Sequence, residues 1–160
     1  MEYFDKKYHP PGTPPGTLTS PVSAAEAPLQ IILVEYSHDA YLERHLTRVE
    51  ECLPFIKSST STWIHVQGAT DSKTMQHLGD LFHLHPLSLE DVLNSGQRPK
   101  IDQYEDHLFV AIALPKISKE QVVIEQISLF LGENYLISFH ESLDHPFESV
   151  RHRLQNPDSQ

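Results

Sequence analysis

The sequence predicts an α/β fold: a three-layer α/β/α sandwich with a mixed, largely antiparallel sheet. Three observations lead there. Strand-like runs alternate with amphipathic helical stretches through the first two thirds of the chain, as expected where helices cover a sheet. Three long β-like segments then follow, separated only by short polar turns, the pattern of an antiparallel meander. With 39% hydrophobic and 21% charged residues over 160 positions, the composition is that of one globular domain with enough apolar side chain for a core.

The elements follow in order. Residues 1–15, rich in proline and glycine (Pro10, Pro11, Gly12, Pro14, Pro15), read as a flexible tail, with the domain covering 16–160. A short strand fits 16–22. Leu29 to Tyr36 (LQIILVEY) is dense in β-branched residues and reads as a strand. Ser37 is placed to cap a helix from about His38 to Cys52, because Leu42, Leu46, Val49 and Leu53 recur at helical spacing, and Pro54 limits it. After a polar Ser/Thr loop, Trp63 to Val66 forms a strand ending at Gly68. Asp71 or Ser72 caps the next helix, whose stripe is Met75, Leu78, Leu81 and Phe82. Pro86 starts a further helix, Leu87 to Asn94, since proline is tolerated in a first turn. Gln97 to Lys100 is a non-helical connector. The meander comprises Tyr104 to Lys116, Val122 to Leu131 and Tyr135 to His140, with turns at Ser118–Glu120 and Gly132–Asn134. A last helix begins near Pro146.

Acidic residues outnumber basic ones 22 to 12, giving a formal charge of -10. Such a surface repels phosphate backbones and anionic headgroups and suits cations, so nucleic acid is not an expected partner. A single cysteine, Cys52, excludes an internal disulfide framework and a multi-cysteine zinc site; its apolar neighbours make it a packing residue. Residues 1–28 show no leader-like apolar core. The longest apolar run, Leu108 to Leu114, is seven residues, against the ~20 that a membrane helix needs.

The candidate metal ligands are Glu90 and Asp91. On a helical wheel Leu89, Val92 and Leu93 cluster together, and the two acids fall on the other side, facing outward in early turns where the helix dipole favours negative charge. Solvated, dipole-complementing acids are the plain reading. The functional reading is a hard-cation site, because magnesium takes oxygen ligands, keeps several waters and often uses one or two carboxylates. It requires side chains that project from the core, free of internal lysine or arginine partners, and a further carboxylate from a second chain. Among the eleven histidines, no HxxxH or HExxH spacing occurs. The pair His83 and His85 is the best start for a zinc site, but exposed histidines are the expectation. There is no GxSxG elbow and no glycine-rich phosphate loop, so no enzyme is expected. Trp63 reads as core.

Several stretches, in order, resemble the cytoplasmic domain of CorA magnesium/cobalt transport proteins: Pro14 to Leu18, Leu53 to Phe55, Trp63 to Gly68, His85 to Asn94 with Gln97 to Lys100, Tyr104 to Phe109, and Glu125 to Leu131. The resemblance covers nearly the whole chain after the tail. It implies the cytoplasmic funnel domain of a homopentameric divalent-cation channel, at the inner face of the cell membrane. A stalk helix and two membrane helices with a Gly-Met-Asn signature would follow; no such triplet is present, so this is expected to be an N-terminal piece unable to transport alone. It further implies that Glu90 and Asp91 belong to intersubunit regulatory Mg2+ sites, with Co2+ as another occupant. The rival readings are a zinc-transporting relative and a standalone soluble interaction domain.

Overall fold

The computed structural model describes residues 12–18, 29–56, 59–68 and 71–156. Within them seven strands form one sheet: β1 (Gln30–Tyr36), β2 (Tyr41–Leu46), β3 (Ser61–Gln67), β4 (Lys100–Gln103), β5 (Leu108–Ser118), β6 (Gln121–Leu131) and β7 (Tyr135–His140). The spatial order is β2-β1-β3-β7-β6-β5-β4. β3 runs parallel to β7, and every other neighbouring pair is antiparallel. The helices are α1 (Leu53–Ile56), which continues a 3₁₀ turn at Val49–Cys52, then α2 (Ser72–Phe82), α3 (Pro86–Leu93) and α4 (Glu148–Gln155).

The sheet is largely apolar on both faces at its centre, which is why β1 reads as a near-continuous hydrophobic run, while β3 is buried on both faces with His65 between Ile64 and Val66. Ile31, Leu33, Ile64, Val66, Phe109, Phe130 and Ile137 point to one side and pack beneath Met75, Leu78 and Phe82 of α2 and Leu89 and Leu93 of α3. Ile32, Val34 and Trp63 point to the other, against Phe147 and against Val150 and Leu154 of α4. These are the three layers expected. α2 and α3 meet closely at Gly79, where an added Cβ would lie 2.5 Å from Leu89 Cδ1. A glycine there lets α3 settle at a fixed height over the sheet.

Local chemistry sets the helix boundaries. The Asp71 carboxylate accepts the Thr74 N–H at 2.8 Å, capping α2 as expected. His83 ends it in the left-handed region at φ 54. Pro86 opens α3, and the His85 ring accepts the Leu87 N–H at 3.2 Å.

Four expectations change. The stretch predicted as a helix from His38 to Cys52 is instead a tight turn, strand β2 and the 3₁₀ turn. Ser37 donates its N–H to the Ala40 carbonyl at 2.8 Å, reversing the chain so that Tyr41 pairs with Tyr36. The hydrogen-bonding edge of β1 outweighs a leucine spacing that suits either period. The connector reading of Lys100 gives way to β4, and β5 starts at Leu108 because Tyr104 and His107 close a turn. Gly16 sits in a turn rather than a strand, at φ 80. The rest of the tail, at 1–11, and the remainder of the 16–22 stretch, at 19–22, lie outside the described residues.

Candidate cation site

Helix α3 carries both candidate ligands, and its buried face (Ser88, Leu89, Leu93) fixes which way they point. The wheel is correct that Glu90 and Asp91 lie off the core. It is not correct that they face open solvent, because two other segments lie over that side of α3. Glu90 accepts the Gly16 N–H at 2.6 Å. Asp91 accepts from the Lys100 ammonium at 2.7 Å, and its side chain keeps only 19% of its exposure. The requirement that both acids be free of an internal cation is therefore not met at Asp91. The cause is tertiary: β4 places Lys100 beneath α3, a contact that no helical wheel contains.

The same ammonium bonds Asp102 at 2.8 Å and lies over the Phe109 ring at 5.6 Å from its centroid. Burial alone would lower the Lys100 pKa, but its bonds to Asp102 and Asp91 outweigh that and hold it above the ordinary value. Gln126 braces the arrangement: its Nε2 donates to the Asp91 carbonyl at 2.9 Å, and its Oε1 accepts the Gln97 N–H at 2.8 Å. Glu90, Asp91, Asp102 and Lys100, with Leu87 and Tyr104, line an open groove of about 680 Å³. It is a net-acidic cleft whose central cation is a lysine. Among the described residues, no three of His, Cys, Asp and Glu are grouped to hold a metal ion. A magnesium ion here would rely on one or two carboxylates, water and a further donor.

Most of the described histidines are exposed as expected, His83 and His85 among them, but three are not. His65, His107 and His140 are buried. His83 and His85 serve as caps, and the His85 ring stacks on Tyr104 at 4.7 Å. His83 caps through its backbone and only the His85 ring is engaged; among the described residues neither belongs to a group of three metal-ligating side chains. Cys52 is buried as expected, and burial pushes its thiol up to about 12, far from a reactive thiolate. No helix of the described residues is long and apolar enough to cross a membrane.

Sequence reasoning missed Gly16, Lys100 and Asp102. The only available signal was the proline-bounded Gln97–Lys100 connector, which returns the chain toward α3 nine residues after Asp91.

Comparison with known proteins agrees with this architecture. The family described as "CorA-like Mg2+ transporter protein" matches residues 58–160. The chain is 37% identical over 146 residues to the cobalt/magnesium transport protein CorA of Thermotoga maritima, covering 90% of this chain and 41% of that protein. It is 36% identical over 92 residues to the putative metal ion transporter YfjQ of Bacillus subtilis, covering 58% of this chain and 28% of that one. It thus spans less than half the length of these relatives. The soluble domain of CorA from Methanocaldococcus jannaschii shares the fold, with a TM-score of 0.55 at 14% identity over 81% of this chain and 46% of that one. So does the ZntB cytoplasmic domain from Vibrio parahaemolyticus, with a TM-score of 0.54 at 12% identity over 78% of this chain and 50% of that one. On the family match and the identity to the Thermotoga protein, this chain belongs to the CorA-like Mg2+ transporter family.

Proposed function

We propose that this chain is the regulatory, cation-sensing domain of a magnesium/cobalt transporter, and that Glu90 and Asp91 supply part of a weak Mg2+ site shared with a neighbouring subunit of a homopentamer. Co2+ is a second occupant of the same oxygen donors. The whole protein would sit with this domain on the cytoplasmic face of the inner membrane. Conduction would belong to membrane-crossing segments, so the 160 residues alone would sense and not transport.

One observation supports the reading: the groove beside α3 gathers Glu90, Asp91 and Asp102 around a single ammonium and is net acidic. The Lys100 nitrogen within 2.8 Å of Asp91 and Asp102 counts against a bare-carboxylate site, so a divalent ion has to displace it. A groove that is net acidic after that pairing still attracts a divalent ion. Facing carboxylates on two subunits repel by about 1 kcal/mol per pair at 4 Å in water and about 4 near a protein surface. A bridging hydrated Mg2+ reverses that sign and favours the packed, closed arrangement. When the ion leaves, the equilibrium moves toward the open one by the differential binding energy. The test is Glu90→Ala with Asp91→Ala in the full-length transporter. Conduction should persist while inhibition by internal Mg2+ weakens; undiminished inhibition refutes the sensor role.

A further inference from the structure

We propose that Lys100 is a tethered competitor for the divalent cation: an internal ammonium that occupies the Asp91–Asp102 cleft when the ion is absent and must be displaced for the ion to bind. The inference rests on the proposed sensor reading and names how that site is regulated.

The geometry carries it. Lys100 and Asp102 stand two residues apart on β4 and so face the same side, toward α3. The ammonium bridges Asp102 on its own strand and Asp91 on the helix, at 2.8 and 2.7 Å. A lysine nitrogen is a compact point charge on a flexible stem, able to swing out of a cleft without disturbing the backbone. Here the stem has room: the groove is open, and the Lys100 side chain keeps 34% of its exposure. The Phe109 ring beneath it also packs on Phe130 within the core cluster, so the ammonium is not its only cover.

Two consequences follow. A tethered cation is always at high local concentration, so the affinity for a free ion is reduced by the fraction of time that the ammonium holds the cleft. Loss of the divalent ion also does not leave bare carboxylates, since the lysine returns and neutralises part of the repulsion. Lys100 therefore sets the concentration threshold at which a sensor of this design responds. It also brings Asp102 into the ion's surroundings as a second carboxylate, within the one or two that magnesium commonly uses.

The experiment is calorimetric titration of the full-length transporter, in which the neighbouring subunit's donors are present, with MgCl₂, comparing wild type, Lys100→Gln, Lys100→Arg and Asp91→Asn, each checked for native circular dichroism. Removing the ammonium should tighten Mg2+ binding roughly two- to fivefold, the worth of a partly exposed ion pair. Lys100→Arg, which keeps the charge and can clasp a carboxylate through two N–H groups, should not tighten it. Asp91→Asn should weaken it. If Lys100→Gln binds no tighter than wild type while Asp91→Asn binds more weakly, the competitor role is wrong and the sensor reading stands. If Asp91→Asn binds like wild type, or no variant binds, the sensor reading itself fails and the inference fails with it. A readout free of substitution is the ¹⁵N signal of the Lys100 ammonium. It should move toward that of a solvated lysine as Mg2+ saturates wild type, and a signal that stays fixed at saturation overturns the competitor role.

Discussion

His65 lies on β3 between Ile64 and Val66, and it is buried. Its Nδ1 is 2.7 Å from the Ser138 hydroxyl, which also accepts the Trp63 indole N–H at 2.8 Å. The Phe147 ring stands edge-on against it at 5.3 Å, and the described residues offer Nε2 no partner. Burial, and then the charges of His140, Arg151 and His145, push its pKa from 6.5 down to about 4. The folded state thus holds it neutral, while the unfolded chain takes up a proton below about 6.5. The sign follows: this contribution is fully present above pH 6.5 and is lost as the pH falls toward 4. Between pH 7 and pH 4.5, His65 should account for a loss on the order of 2 kcal/mol of unfolding free energy. His65→Gln, neutral throughout, should flatten the pH slope of the urea midpoint by that amount; parallel slopes would sink the idea. Burial of this histidine was not legible in the sequence, because both faces of β3 are covered. Polar residues normally mark a strand's wet face, but β3 has no wet face past its first residue, and its polar Thr62, His65 and Gln67 are buried. Glu90 and Asp91 were legible as residues off the core, but not as partners of Gly16 and Lys100, since those contacts form only after folding.

At the scale of elements, those with a chemical start or stop were readable. Asp71 caps α2, Pro86 opens α3, and the apolar run of β1 declares a strand. β2 was misread because Leu42 and Leu46 are four apart and fit a helix, while the decisive partner, β1, lies across a turn. The β5–β6 hairpin was readable as two strands with a polar turn. What was hidden is the backbone that the turn demands. Strands ending at Ser118 and starting at Gln121 leave a two-residue loop, and Lys119 and Glu120 both take left-handed conformations, φ 48 and φ 63. Two-residue hairpin loops prefer asparagine and glycine there, because their φ values match the strand twist. Branchless access to φ above zero is what lysine and glutamate lack, and each is held there at a cost. Lys119→Asn with Glu120→Gly should raise stability by about 1 kcal/mol. The check is the shift in the thermal midpoint; an unchanged or lower midpoint would show that this turn is not strained.

Across the whole molecule the mixed sheet was legible in outline, since helices between strands followed by a meander call for one. The parallel β3–β7 pair that joins the two halves was not: its partners, such as Thr62 and Tyr135, lie far apart in the chain, and no local signal ties them together. That joint also leaves the layers unequal. Helices α2 and α3 cover one face, while α4 covers only the β1–β3 end of the other. Past α4, the same face of β4, β5 and β6 carries Ile101, Ile112 and Leu131, exposed at 70%, 38% and 49%. Register places Ile101 beside Val110, Ile112 beside Ile127 and Leu131 beside Leu108, so these side chains form one contiguous apolar strip. A strip of that kind has a solution signature, because an apolar dye such as anilinonaphthalene sulfonate gains fluorescence on hydrophobic surface. The native chain should therefore enhance the dye at neutral pH, well below its unfolding transition. Replacing Ile101, Ile112 and Leu131 together by threonine should reduce that enhancement severalfold. Stability should change little, about 0.5 kcal/mol or less per site, because exposed positions with few packing partners contribute little to folding. Threonine is β-branched like the two isoleucines and favours a strand at Leu131 as well, so the change lowers apolar surface without lowering strand propensity. An enhancement that survives the triple substitution would place the dye elsewhere, and this face would then not be the open apolar surface of the molecule.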